Sequence, residues 1–164
     1  LTECGCPTAN GWSSEKDQAE KLPRIFLISF ALGVDKVFWY NFRSNELSPD
    51  DKECHFGLCH KDYSPKPAFY AYQNLVKMCP DKSTRPILTR KGEIYIAQWE
   101  RPDGKNVYGI WTSEGKKQVS FNIEGEFTCM DIGGEKRIDI FTGIPLEISP
   151  SIIYIIGKKM NIVI

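Results

Sequence analysis

Leu1-Thr2-Glu3-Cys4-Gly5-Cys6-Pro7 opens the chain, and its reading decides the rest. A short apolar and β-branched lead runs into a carboxylate, then straight into glycine and proline. A strand ends this way when its last side chain must project into an open site. Gly5 lets the backbone turn without a Cβ clash, and Pro7 cannot continue a sheet ladder. A lone Glu in such a place is usually only solvated, so the weight falls on the residues that come after it.

Ser13 to Gly33 reads as a helix, with start signals at Ser13-Ser14, Asp17 in the opening turn and a stop at Gly33. From Ile25 to Leu32 it is apolar on nearly every face and expects burial on more than one side. Pro23 should kink or divide it. Asp35-Lys36-Val37-Phe38-Trp39-Tyr40-Asn41-Phe42-Arg43 is an apolar run with aromatics, the pattern of a buried parallel strand. Ser44 to Tyr63 is a long polar loop with Glu46, Asp50, Asp51 and Glu53, and loops of that length at a strand end tend to be functional. Ser64-Pro65-Lys66-Pro67-Ala68-Phe69-Tyr70-Ala71-Tyr72 begins a last helix, with Pro67 in its first turn and an end near Met78.

This order resembles the last quarter of the clan-A glycoside hydrolases, retaining TIM-barrel glycosidases such as β-xylosidases, α-L-iduronidases and endoglucanases. There the seventh strand carries "(L/I)TE-x-G-x-P", followed by a helix rich in "QA" and ending in "G-V". The eighth strand reads "(V/I)-F-x-Y-x-x-(R/D)", then "(F/Y)-G-L…(S/T)-P-K-P-A-(F/Y)-x-A-(Y/F)". The matching pieces are Leu1 to Pro7, Gln18-Ala19, Gly33-Val34, Val37 to Arg43, Phe56-Gly57-Leu58 and Ser64 to Tyr72, about half the chain in the right order. The resemblance implies an α/β fragment, the last two β/α units of a (β/α)₈ barrel, over residues 1–82. Barrels of that kind put their chemistry at the C-terminal ends of the strands. It also implies that Glu3 is the catalytic nucleophile. Cys6 departs from the pattern, because its position is often aromatic in the family.

Retaining glycoside hydrolysis needs two carboxyl groups roughly 5 Å apart, one attacking the anomeric carbon and one protonating the leaving oxygen. In the resembling families the acid/base is a Glu after an Asn at the end of the fourth strand, a strand absent here. Asn45-Glu46 has the right letters but comes after the eighth strand, and Glu53 on the loop lacks the defined, buried position a general acid needs. The chain alone is therefore expected to be inactive, and to act as part of a complete parent protein.

An aromatic at the end of the last barrel strand offers a flat face to a sugar, and Trp39 or Tyr40 could do so. Alternation sends Val37, Trp39 and Asn41 to one side and Phe38, Tyr40 and Phe42 to the other. Trp39 is the favoured platform, with Asn41 or Arg43 hydrogen-bonding hydroxyls; the competing reading makes both aromatics packing residues. His55 and Phe56 would border the cleft.

Composition limits the alternatives. Of 164 residues 41% are hydrophobic and 12% aromatic, which is globular and not disordered. Lys+Arg 21 balance Asp+Glu 21 with no basic stripe, so nucleic acid is not an expected partner. No apolar run is long enough to span a bilayer, and no membrane partner is expected. The chain starts without Met and inside a strand, which reads as a piece of a longer protein; secretion or a periplasmic location follows from the resemblance alone. Cys4, Cys6, Cys54, Cys59, Cys79 and Cys129 are expected as free thiols ahead of a disulfide. Cys-x-Cys and Cys-x₄-Cys are not usual structural-zinc spacings, so no metal or other cofactor is called for.

The polar, Pro-ended stretch Asp81 to Pro86 marks a boundary. Beyond it, over residues 87–164, short β-rich runs alternate with turns, the mark of an all-β antiparallel sandwich. The expected strands are Ile94 to Glu100, Val107 to Thr112, Gln118 to Ile123, Phe127 to Asp131, Arg137 to Phe141, Leu146 to Ile148 and Ile152 to Ile156. Tyr95, Trp99, Tyr108 and Trp111 could form a carbohydrate platform there, but two adjacent strands more often put such residues in a core.

The expected partners are a carbohydrate substrate and the missing N-terminal part of the barrel. Two strands cannot close a barrel, so a chain on its own should form a homodimer through the open barrel edges or be partly disordered before Thr84. The rival reading is a non-catalytic carbohydrate-binding or interaction module with a vestigial barrel segment. A third is a thiol- or metal-dependent protein built on Cys4, Cys6, Cys54 and Cys59.

Overall fold

The structure, a computed structural model, describes residues 3–120, 122–123, 126–137, 144–158 and 162–163. Leu1, Thr2 and most of the expected strand at Arg137 to Phe141 lie outside them, as do Glu124, Gly125 and Gly143, where turns are expected.

Helix α1, Glu15–Ala31, begins on a capping box: Asp17 N–H donates to Ser14 Oγ at 3.1 Å, and Ser14 N–H donates to the Asp17 carboxylate at 2.9 Å. It runs through Pro23 as one helix, so the expected division does not occur. Tertiary packing on two sides compensates for the missing backbone donor, since Leu22, Pro23, Phe26 and Leu27 are all buried. Helix α2, Pro67–Met78, has its proline in the first turn as expected and packs along α1, with the Phe26 and Tyr72 rings edge to face at 5.5 Å. Neither helix is long and apolar enough to cross a membrane.

The expected parallel strands are much reduced. Cys4 pairs with Trp39 in one parallel bridge, Cys4 N–H donating to Phe38 O at 3.0 Å and Tyr40 N–H to Cys4 O at 2.7 Å. A second parallel bridge joins Arg43 to Cys59, and Cys59 pairs with Pro65 antiparallel. The segment Asp35 to Arg43 is not a buried strand: Phe38 is 58% and Phe42 57% exposed. Its apolar content mimicked burial, but within this chain only short stretches of backbone pair with it.

Strands β1 Ile87–Lys91, β2 Ile94–Glu100, β3 Asn106–Thr112, β4 Lys117–Ser120, β5 Asn122–Ile123, β6 Phe127–Met130, β7 Lys136–Arg137, β8 Pro145–Ile148, β9 Ile153–Gly157 and β10 Ile162–Val163 come next. Six form one antiparallel sheet in the order β1-β2-β3-β9-β6-β7, and β4-β8 and β5-β10 form two small pairs. Strands β1 and β10 were not anticipated; β1 is a mostly exposed edge with polar residues, Thr89, Arg90 and Lys91, and lacks an apolar signature.

The period of two in the strands divides the interior into two layers. Ala97, Trp99, Val107, Trp111, Tyr154 and Ile156 face the helices and join Leu22, Phe26, Leu27, Ala71 and Leu75 in one cluster. The alternate residues Tyr108, Ile110, Cys129, Ile153 and Ile155 face the other way and meet Val119, Leu146 and Ile148 of β4 and β8. Covered on both faces, β9 is buried at all five positions. Trp99, Tyr108 and Trp111 are core residues, and Tyr95 stacks on Trp111 at 5.6 Å. The helices and the sheet share this first cluster across the Asp81 to Pro86 stretch, and Trp99 Nε1 donates to Met78 O at 2.8 Å.

Candidate functional site

The site forms where the segment after Glu3, the segment ending at Arg43 and the loop Ser44 to Tyr63 meet. Glu3 is exposed and directly precedes the Cys4–Trp39 bridge, which sets it beside the aromatic segment. Gly5 is present here for a different reason from the turn expected of it: its φ is not in the left-handed region. A Cβ at Gly5 would run into the Tyr40 carbonyl oxygen and approach the Phe56 ring to 2.7 Å. Glycine lets two backbones and an aromatic ring close on one another.

Trp39, Tyr40, Asn41 and Arg43 have different surroundings. Trp39 is half-buried against the shared core, and its Nε1 is buried with no partner among the described residues. The Tyr40 ring meets Phe56 edge to face at 5.4 Å. The Tyr40–Asn41 peptide is cis. Asn41 buries an Oδ1 that has no partner among the described residues, while Leu58 N–H donates to its carbonyl at 3.1 Å. Arg43 is exposed, its guanidinium 4.7 Å from the centre of the Tyr63 ring.

The loop Ser44 to Tyr63 is not a free strap. It holds a 3₁₀ turn at Lys52–Cys54 and is fastened over the segment after Glu3. Thr8 N–H donates to His55 O at 3.2 Å and Asn10 N–H to Pro49 O at 2.9 Å. His55 is held through Nε2 to Ser48 O at 2.7 Å.

Several residues that the sequence reading passed over hold this joint together. Gln18 is fully buried on α1, and its Nε2 donates to Cys6 O at 2.8 Å and lies 3.2 Å from Phe56 O and 3.3 Å from Gly57 O. Lys66, 1% exposed, donates to Thr8 Oγ1 at 2.9 Å and Ser44 Oγ at 3.1 Å. Burial pushes its ammonium below the usual lysine range, opposed chiefly by the charges of Glu15 and Glu46. His60 sits between two carboxylates, Nδ1 at 2.8 Å from Glu46 and Nε2 at 3.3 Å from Glu15. Burial would raise the Glu46 carboxyl, but the His60 hydrogen bond, the Lys61 backbone and the charges of His60 and Lys66 outweigh it and hold it below the carboxylate range. For Gln18 and Lys66 the signals were the "QA" and "P-K-P-A" letters of the resemblance, since a lysine reads as exposed by default.

Cys4, Cys6, Cys54, Cys59 and Cys79 are free thiols, and burial pushes those of Cys4, Cys59 and Cys79 up. Among the described residues no group of three or more His, Cys, Asp or Glu could hold a metal ion.

No family model matches the chain, and no curated protein matches it significantly. Solved structures do match. A family 39 glycoside hydrolase from the gut symbiont Bacteroides cellulosilyticus WH2 superimposes with a TM-score of 0.79 and 23% identity over 96% of this chain and 33% of its own. The catalytic domain of the family 30 xylanase C from Talaromyces cellulolyticus gives a TM-score of 0.62 and 10% identity over 94% of this chain and 39% of its own. An endo-β1,6-glucanase gives 0.54 and 13%, over 96% of this chain and 35% of its own. At these identities the likeness is one of fold: the chain has a glycosidase-related fold and spans about a third of the length of the structures it matches.

Proposed function

We propose that this chain is the C-terminal portion of a retaining glycoside hydrolase acting on O-glycosidic bonds, with Glu3 as its nucleophile. What carries the reading is the parallel Cys4–Trp39 bridge, which sets Glu3 alongside the aromatic segment in a chain that matches glycoside hydrolases over nearly its whole length. In this reading the bridge is what remains, within this chain, of the pairing between the last two barrel strands.

The ionised Glu3 carboxylate attacks the anomeric carbon as the bond to the leaving oxygen breaks. A second carboxyl group from the rest of the barrel protonates that oxygen, and water later releases the sugar from the glycosyl–enzyme ester. Glu46 is unsuited to be that acid: it is committed to His60 and its carboxyl is held low, whereas a general acid needs a raised one. Trp39, Tyr40, Asn41 and Arg43 are the assigned sugar contacts, with exposed Arg43 the readiest donor. Against the rival module, three of its four platform aromatics, Trp99, Tyr108 and Trp111, are buried.

The test is a mechanism-based fluoroglycoside on the complete parent enzyme, followed by mapping of the labelled peptide. The label is expected on Glu3, and Glu3→Gln should lower turnover by several orders of magnitude. A label on another residue, or near-normal turnover in that variant, overturns the assignment.

A further inference from the structure

A buried lysine whose direct partners are two neutral hydroxyls is an unusual arrangement, because an ammonium in a dry site is expensive unless something uses it. Lys66 sits at the N-cap of α2 and holds two separate segments at once: Thr8, five residues past Glu3, and Ser44, one residue past Arg43. Both partners pass the restraint on. Thr8 Oγ1 donates to His55 O at 3.2 Å, and Ser44 Oγ accepts from Gly57 N–H at 3.0 Å. Its charge is balanced at longer range by Glu15 at the start of α1 and Glu46 on the loop, the two carboxylates that His60 bridges.

We propose that Lys66 is a positioning residue for Glu3: its ammonium fastens the segment behind the nucleophile to the end of the aromatic segment. The inference rests on the glycosidase reading above. A purely structural role is separable from it: without the ammonium Ser44 Oγ keeps its Gly57 donor and Thr8 Oγ1 its His55 acceptor, so the tie can be cut without stranding either hydroxyl. The charge is retained because two hydroxyls from separate segments need one donor that reaches both.

In the complete parent enzyme, Lys66→Met is expected to leave the melting temperature unchanged or higher. It should lower kcat by about a hundredfold, the cost of a nucleophile displaced by about 1 Å, with KM little changed. Thr8→Val, which breaks one arm of the tie, should lower kcat in the same direction, and the double variant should be no worse than Lys66→Met. On the present chain, amide exchange at Thr8 and Gly57 should quicken in Lys66→Met while exchange in β9 stays as it is. Unchanged kcat in folded Lys66→Met overturns the proposal, as does a kcat loss matched by a fall in melting temperature. If Lys66→Met does not fold, Thr8→Val decides: wild-type kcat overturns the tie, and a loss of kcat at full stability upholds it. Failure of the glycosidase reading is distinguishable, because the wild-type parent would then not turn over glycosides, or Glu3→Gln would turn them over as well as wild type, whatever Lys66 does.

Discussion

Gly5 lies where two segments and an aromatic ring converge, so its missing side chain is a packing requirement. Alanine there would meet the Tyr40 carbonyl, which is backbone held by the neighbouring pairing, and Phe56, which is held by the Tyr40 ring. Neither can give way cheaply. Gly5→Ala should therefore cost about 1–3 kcal/mol, as overpacking does, read as a lowered denaturation midpoint. A wild-type midpoint would mean that Tyr40 and Phe56 are free to move. Lys66 marks the opposite limit at this scale, since a residue type that sequence reasoning puts in water is among the most enclosed here. Gln18 is similar, its amide spent on backbone carbonyls of two loops. Long-range partners of that kind leave no periodic trace in a sequence.

Among the elements, α1 is specified by its first turn. Ser14 and Asp17 satisfy each other's backbone N–H groups, and the hydrogen bonds from Ser14 hold the Asp17 carboxyl below its usual range. Ser14→Ala should cost about 1 kcal/mol at neutral pH. Because the folded form holds the Asp17 proton less tightly than the unfolded one, the hydrogen bonds to the ionised carboxylate contribute fully above the ordinary carboxylate pKa of about 4. That contribution is lost as pH falls through the lower folded value. The stability gap between wild type and Ser14→Ala should thus narrow below about pH 4; a gap independent of pH would mean that the carboxylate has no part in the cap. Both ends of this helix were legible in the sequence, as were both ends of β2, because capping chemistry and alternation are local. The Asp35 to Arg43 segment was misread for the converse reason. Its aromatics look like those of an enclosed strand, but enclosure depends on neighbours, and among the described residues its sheet-type bridges are one to Cys4 and one to Cys59, which leaves Phe38 and Phe42 exposed. The edge strand β1 was missed because four of its five residues are exposed and its polar half carries no hydrophobic pattern.

In the whole molecule, the central strand β9 is sheltered on both faces while the helical part is not. Phe38 is 58% and Val76 51% exposed, in a groove also lined by Phe26, Phe30, Val37 and Tyr72. In the proposed parent enzyme this face would meet the rest of the barrel, and uncovered apolar surface of this kind drives association. The chain by itself should therefore run as a dimer in light scattering coupled to size exclusion, and Phe38→Lys with Val76→Lys should shift it to monomer. A wild-type monomer at micromolar concentration would remove the expectation.

The position of β9 has a bearing on how the protein is made. The six-stranded sheet has at its centre a strand that the ribosome delivers only after residue 157, long after the partner strand β3 has emerged. Until then Trp99, Trp111 and Val107 lack the strand that completes their layer, and the growing polypeptide presents an unfinished greasy face to its surroundings. Chaperones should thus be engaged in the interval between the emergence of β3 and that of β9.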